Sequence, residues 1–143
     1  MTQNGVHMIC EKCSRTFRRE RTIMGPQSAY SYLRAMANAK TERLVALYLS
    51  VAGWPIQRKT ISIGTLANTP AHPREILGPA IRCNAYQYVI AHNHPSGNLE
   101  PSQEDILMTQ NLREASDLMG IYLVDHLIVS RNGYTSLKER GVI

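Results

Sequence analysis

The chain has little cysteine: among its 143 residues only Cys10, Cys13 and Cys83 carry thiols. So sparse and odd a set excludes a disulfide framework and fits a reducing compartment. The chain also lacks a long apolar run. Its longest mostly apolar stretch, Leu44 to Trp54, falls short of the roughly 20 residues that a membrane-spanning helix needs. The opening residues Met1-Thr2-Gln3-Asn4-Gly5 show no basic region followed by an apolar segment, so nothing marks the chain for export. The expected location is therefore cytoplasmic, with no membrane contact. Internal repeats and low-complexity tracts are missing as well. With 43% hydrophobic and 19% charged residues, disorder, collagen-like repeats and coiled coil are all poor fits. What remains is a packed domain of ordinary size.

Charge is unevenly spread. Residues 1 to 82 hold 12 Lys and Arg against 4 Asp and Glu, while residues 83 to 143 hold 4 against 7, for an overall +5. A basic first half attracts nucleic acid or an acidic protein, although net charge speaks to nonspecific attraction rather than fold. The only composition shift lies at the start. There Cys10-Glu11-Lys12-Cys13 is followed by Arg15, Arg18, Arg19 and Arg21 with little apolar periodicity, so residues 1–24 read as an extended basic arm and 25–143 as the domain. Cys10 and Cys13, with His7 nearby, supply at most half a zinc site and have no matching second pair, which favours loose reduced thiols.

Gln27 to Ala39 places Ala29, Tyr32, Leu33, Met36 and Ala37 at helical spacing, with Ser28 as its cap. Glu42 opens Arg43 to Val51, a run rich in Leu, Val and Tyr that reads as a buried strand. Ala52-Gly53-Trp54-Pro55 turns the chain into an antiparallel partner, Ile56 to Ile63. A loop from Gly64 to His72 precedes a helix from Pro73 to Cys83 with Ile76, Leu77, Ala80 and Ile81 as its apolar stripe. Tyr86 to Ala91 is a second buried strand. A long helix begins at Ser102 and stops at Gly120, with Ile106, Leu107, Leu112, Ala115, Leu118 and Met119 on its apolar side. Tyr122 to Ser130 is a strand, Asn132-Gly133 a hairpin turn, and Tyr134 to Ser136 the return. The order indicates an α/β domain whose mixed sheet is flanked by helices.

The informative segment is His92-Asn93-His94-Pro95 followed by Ser102-Gln103-Glu104-Asp105. Histidines one residue apart at a strand end point the same way, because side chains alternate faces with period two. Asp105, in the first turn of the next helix, reaches the same point if the loop after Pro95 folds back. Two imidazoles and a carboxylate leave a fourth position for water, the open arrangement of a catalytic zinc site. The same residues have plainer readings. Ser102-x-x-Asp105 is also a helix-capping pair, and His92 and His94 are also acceptable as polar loop residues. The string His-Asn-His is not the HNH nuclease motif, whose named residues are separated along a ββα-metal unit.

His-x-His-Pro with Ser-x-x-Asp beginning eight positions after the second histidine resembles the JAMM (MPN-plus) metallopeptidases. Ala91 to Gly97, Ile63-Gly64-Thr65-Leu66, His72-Pro73-Arg74-Glu75 and Asp125-His126-Leu127-Ile128-Val129 are similar to the bacterial RadC-like branch, and the resemblance covers about residues 26–141. It implies the JAMM/MPN, cytidine deaminase-like fold, with a mainly antiparallel sheet. It further implies one Zn2+ per chain held by His92, His94 and Asp105, an oxyanion donor at Ser102, and a glutamate base that is Glu42 by position. The implied activity is hydrolysis of an amide or isopeptide bond in a protein or peptide substrate. Glu75, Glu100 and Glu104 are rival carboxylates for the base. His72, Asp125 and His126 carry no chemistry legible from spacing, and a supporting role suits them better. Asn93 matches the RadC-like branch rather than the eukaryotic relatives, which have Ser or Thr there, so deubiquitination is not implied. A second reading, in which Arg15, Arg18, Arg19, Arg21, Arg34, Arg58 and Lys59 bind DNA and the metal is structural or vestigial, stands beside the hydrolase, as does metal-dependent cleavage of a phosphodiester. The ligand set alone does not separate zinc from manganese, iron or cobalt.

Overall fold

The structure is a computed structural model that describes residues 7–9, 16–18, 22–64 and 71–143, the first two segments as backbone only. Strands β1 (His7–Ile9) and β2 (Thr16–Arg18) pair antiparallel with each other. Cys10, Cys13, Arg15, Arg19 and Arg21 lie outside the described residues, as do positions 65–70 of the loop expected before the helix at Pro73.

The domain is built on a five-stranded sheet of β3 (Arg43–Leu49), β4 (Pro55–Ile63), β5 (Gln87–Asn93), β6 (Tyr122–Ser130) and β7 (Gly133–Ser136), in the order β4-β3-β5-β6-β7. Within this sheet β5 and β6 run parallel, and the other pairs are antiparallel. Helices cover both faces of the sheet, which explains the unbroken apolar runs of β3 and β5: alternate residues of each are buried, but against different partners. On one face Leu44, Ala46, Tyr48, Tyr88 and Ile90 pack with α2 (Pro73–Arg82) and α3 (Gln103–Met119) through Ile76, Leu77, Ala80 and Leu112. On the other, Val45, Leu47, Leu49, Val89 and Ala91 meet α1 (Pro26–Leu33) and the 3-10 turn after it through Ala29, Leu33, Met36 and Ala37. Among the described residues no helix is long and apolar enough to cross a membrane.

Several local expectations need correction. The helix expected over Gln27–Ala39 is α-helical only through Leu33 and continues as a 3-10 helix over Arg34–Asn38. Ser28 is not the residue before it. Pro26 starts the helix earlier, and Ser28 caps from inside the first turn, its Oγ accepting from the Met24 and Gly25 N–H groups at 2.9 and 3.1 Å. The hairpin turn is Arg131-Asn132, since Gly133 already pairs with Ser130. Strand β5 extends to Asn93, taking His92 and Asn93 into the sheet. In α2 the stripe holds except at Ile81, which is 51% exposed.

The buried face of α3 is the largest departure. Leu107, Leu118 and Met119 are exposed, and the side turned inward carries Asp105, Thr109, Leu112 and Ser116. Polar side chains occupy it because each has an internal partner. Ser116 donates to the Leu112 carbonyl at 2.6 Å and also hydrogen-bonds the buried Tyr88 hydroxyl, and Thr109 donates to the Asp105 carbonyl at 2.6 Å. The helix stops where expected, at Gly120, whose φ of 67° is a left-handed conformation that glycine adopts without penalty.

Leu112→Ala, which empties a fully buried position, is expected to cost about 2–5 kcal/mol in denaturant unfolding, whereas Leu118→Ser is expected to stay within about 0.5 kcal/mol of the unaltered protein.

Candidate metal centre

The site forms where the carboxyl end of β5, the residue before β3 and the first turn of α3 converge. His92 is the penultimate residue of β5, paired with Leu44, and is 3% exposed. His94 follows the strand but stays at its edge because its N–H bonds the Val129 carbonyl at 3.0 Å. The two rings meet edge to face with centroids 4.9 Å apart. Glu42 immediately precedes β3 and places Oε2 3.6 Å from His92 Nε2.

Each ring has one nitrogen already committed. His94 Nδ1 lies 2.7 Å from the Asn98 carbonyl, which only accepts, so Nδ1 carries the hydrogen. His92 Nδ1 lies 3.1 Å from Asp105 Oδ1, and the ionised carboxylate likewise assigns the hydrogen to Nδ1. In the neutral rings both Nε2 atoms then present lone pairs to the site. Among the described residues, none offers a hydrogen-bond partner to the buried Nε2 of His92. An orphaned imidazole lone pair beside a second imidazole and a carboxylate is the donor set of a divalent cation, with the outer nitrogen of each histidine held as metal-binding histidines usually are. Ligand atoms of Glu42, His92 and His94 all lie within 4.8 Å of one another and could hold a metal ion.

Asp105 joins this site and caps α3 at once. Its N–H donates to Ser102 Oγ at 3.1 Å, and its Oδ2 accepts from the Ser102 N–H at 2.8 Å, a reciprocal capping pair. The side chain is fully buried, with Oδ2 3.7 Å from His94 Nε2. The capping reading of Ser102 and Asp105 is met, and the same geometry sets the Asp105 carboxylate beside both imidazoles. Burial pushes the Asp105 carboxyl up, but the bonds from His92 and Ser102 and the nearby His94 ring outweigh it and hold the group well below the usual carboxylate range. His94 is raised, chiefly by the Asp105 carboxylate that faces it.

The sequence candidates Glu42, His92, His94, Ser102 and Asp105 are therefore brought together, with Glu42, rather than Asp105, completing the tightest group of three. The rival carboxylates are placed elsewhere. Glu100 forms a two-pronged ion pair with Arg140 at 2.6 and 2.8 Å, Glu104 is exposed on α3, and Glu75 accepts from the His72 N–H in the cap of α2. His72 itself accepts from the Arg74 N–H at 3.2 Å. Asp125 accepts from Ser136 Oγ and from the His126 and Lys138 N–H groups, tying β6 to β7 and the turn beyond. His126 is wholly buried, with Nδ1 2.6 Å from Thr109 Oγ1, and burial pushes its pKa down to about 3. Arg34, Arg58 and Lys59 are exposed.

One participant escaped the reading of the motif. Asn93, between the two histidines, is fully buried and turns to the opposite face of β5, where its side chain reaches the backbone around Glu42. The period-two alternation of a strand was the available signal.

A sequence-family model described as a RadC-like JAB domain matches residues 23–142. Among the similar curated proteins are UPF0758 proteins of Streptococcus suis, 41% identical over 122 residues, and of Desulforamulus reducens, 46% identical over 102. The first match covers 85% of this chain and 50% of the relative, and the second 71% and 45%. A UPF0758 protein of Rubrobacter xylanophilus is 43% identical over 122 residues, which is 85% of this chain and 53% of that protein. The chain thus spans about half the length of the curated relatives it matches.

Two histidines are shifted in opposite directions. Metal binding must displace the proton that the raised His94 retains, so zinc affinity measured by competition titration is expected to weaken on acidification, starting at a higher pH than for a free imidazole. His126, lowered by burial, works on stability. The unfolded chain takes up its proton near pH 6.5 and the folded chain only near 3, so stability falls with pH through that window by up to about 1.4 kcal/mol per unit. His126→Asn is expected to flatten that slope in urea titrations of the metal-free protein between about pH 7 and 5.

Proposed function

The chain belongs to the RadC-like JAB domain family, and from that membership and the donor geometry we propose that it is a zinc-dependent hydrolase acting on an amide or isopeptide bond. The observation that carries the reading is the buried, partnerless Nε2 of His92, facing the Glu42 carboxylate at 3.6 Å beside His94. When bound, a zinc ion supplies Lewis acidity and lowers the pKa of water to about 7.

His92 and His94 would hold the ion, with Asp105 as the third ligand and Glu42 as the base. Burial separates the two carboxylates. Asp105 is sealed beside the rings and fixed by the helix cap, whereas the Glu42 side chain is 27% exposed and within reach of water. From there Glu42 takes a proton from the attacking water and returns it to the leaving amine, a general base and acid in turn. Ser102 Oγ accepts one hydrogen bond from the helix, and its own O–H remains to donate to the oxygen on which negative charge develops.

The roles separate by substitution. Glu42→Gln is expected to retain one zinc per chain by elemental mass spectrometry while losing about 10²–10⁴-fold in cleavage of a quenched peptide or isopeptide library. Asp105→Asn is expected to lose the metal. Metal lost with Glu42→Gln and kept with Asp105→Asn would exchange the two roles, and an active Glu42→Gln protein would end the proposal.

A further inference from the structure

Because the two histidines share one face of β5, the residue between them must face the other way. Asn93 does so, on the face whose apolar residues pack toward α1 and the 3-10 turn. The ladder between β3 and β5 ends at the pair Leu44 and His92. Beyond it the Asn93 side chain takes over. Its Oδ1 accepts from the Arg43 N–H at 2.7 Å, and its Nδ2 donates to the carbonyls of Thr41 at 3.1 Å and Ala39 at 3.5 Å. These bonds bracket Glu42 on both sides. The Glu42 carbonyl is held separately, accepting from the Gly64 N–H at 2.9 Å.

We infer that Asn93 is a positioning residue: its carboxamide fixes the backbone from Ala39 to Arg43 and so sets Glu42 at the distance from His92 that the site requires. The inference rests on the reading of Glu42 as the base beside a metal held by His92 and His94, and it assigns that geometry to a side chain on the far face of the sheet. A carboxamide suits the task because it both accepts and donates. Serine or alanine at this position is too short to reach both sides of Glu42. Aspartate has the reach but no hydrogen for the two carbonyls. All three partners are backbone atoms, so the hold does not depend on which side chains occupy residues 39, 41 and 43.

The test uses Asn93→Asp and Asn93→Ala in the whole chain, beside Glu42→Gln and the double variant Asn93→Asp/Glu42→Gln. Hydrogen exchange followed by mass spectrometry, without metal, reads the segment directly. Peptides covering residues 39–43 are expected to exchange about tenfold faster in both Asn93 variants, while those from α3 and β6 stay unchanged. Unchanged exchange at 39–43, or faster exchange spread over the whole domain, overturns the proposal. Cobalt(II) then reads the site. Asn93→Asp is expected to shift the visible cobalt spectrum as Glu42→Gln does. It is also expected to weaken cobalt binding about tenfold when Glu42 is present, but less than about twofold when added to the Glu42→Gln protein. Independent, additive effects would show that Asn93 does not act through Glu42. If the unaltered protein binds no cobalt, the hydrolase reading fails instead, and the exchange data still decide whether Asn93 holds the segment.

Discussion

The site rests on where two protons are. His94 Nδ1 gives its hydrogen to the Asn98 carbonyl and His92 Nδ1 gives its own to Asp105, and with both outer nitrogens committed, two bare Nε2 atoms face the same small space. A buried lone pair without a donor is costly, and among the described residues none donates to His92 Nε2. A cation would resolve the deficit that the surrounding hydrogen bonds create, which sets the arrangement apart from two histidines that happen to be close.

Site and fold share their polar groups. One carboxylate, Asp105, caps α3 through the Ser102 N–H and orients His92, so the helix start and the imidazole are fixed by the same atoms. One turn along, Thr109 donates to the Asp105 carbonyl and bonds His126 on β6. On the other side of β5, Asn93 secures the backbone that bears Glu42. Removing Asp105 or Thr109 strands a buried partner, so for these two loss of the site and loss of stability are expected to accompany one another more closely than in a centre carried on surface loops.

Much of this was legible in the chain. The apolar runs of β3 and β5 stood out because both faces of the sheet are covered, and the stop at Gly120 and the proline start of α2 are local signals that tertiary packing did not override. His92, His94, Ser102 and Asp105 were conspicuous by residue type and spacing. The inward face of α3 was not, since Thr109 and Ser116 look solvent-facing until their internal partners are known, while Leu118 looks buried and is 89% exposed. The role of Asn93 was out of reach for a different reason. Its partners are backbone atoms about 50 residues earlier, brought alongside only by the pairing of β3 with β5. A motif names the residues at a centre; what holds them depends on register.

The most direct test of the centre is X-ray absorption at the zinc edge on the zinc-loaded protein. The account predicts one zinc per chain with two imidazole nitrogens at about 2.0–2.1 Å, the remaining positions filled by oxygen, and no sulfur. A shell dominated by sulfur at about 2.3 Å would place the zinc on the cysteines, and a spectrum without imidazole scattering would contradict the account outright.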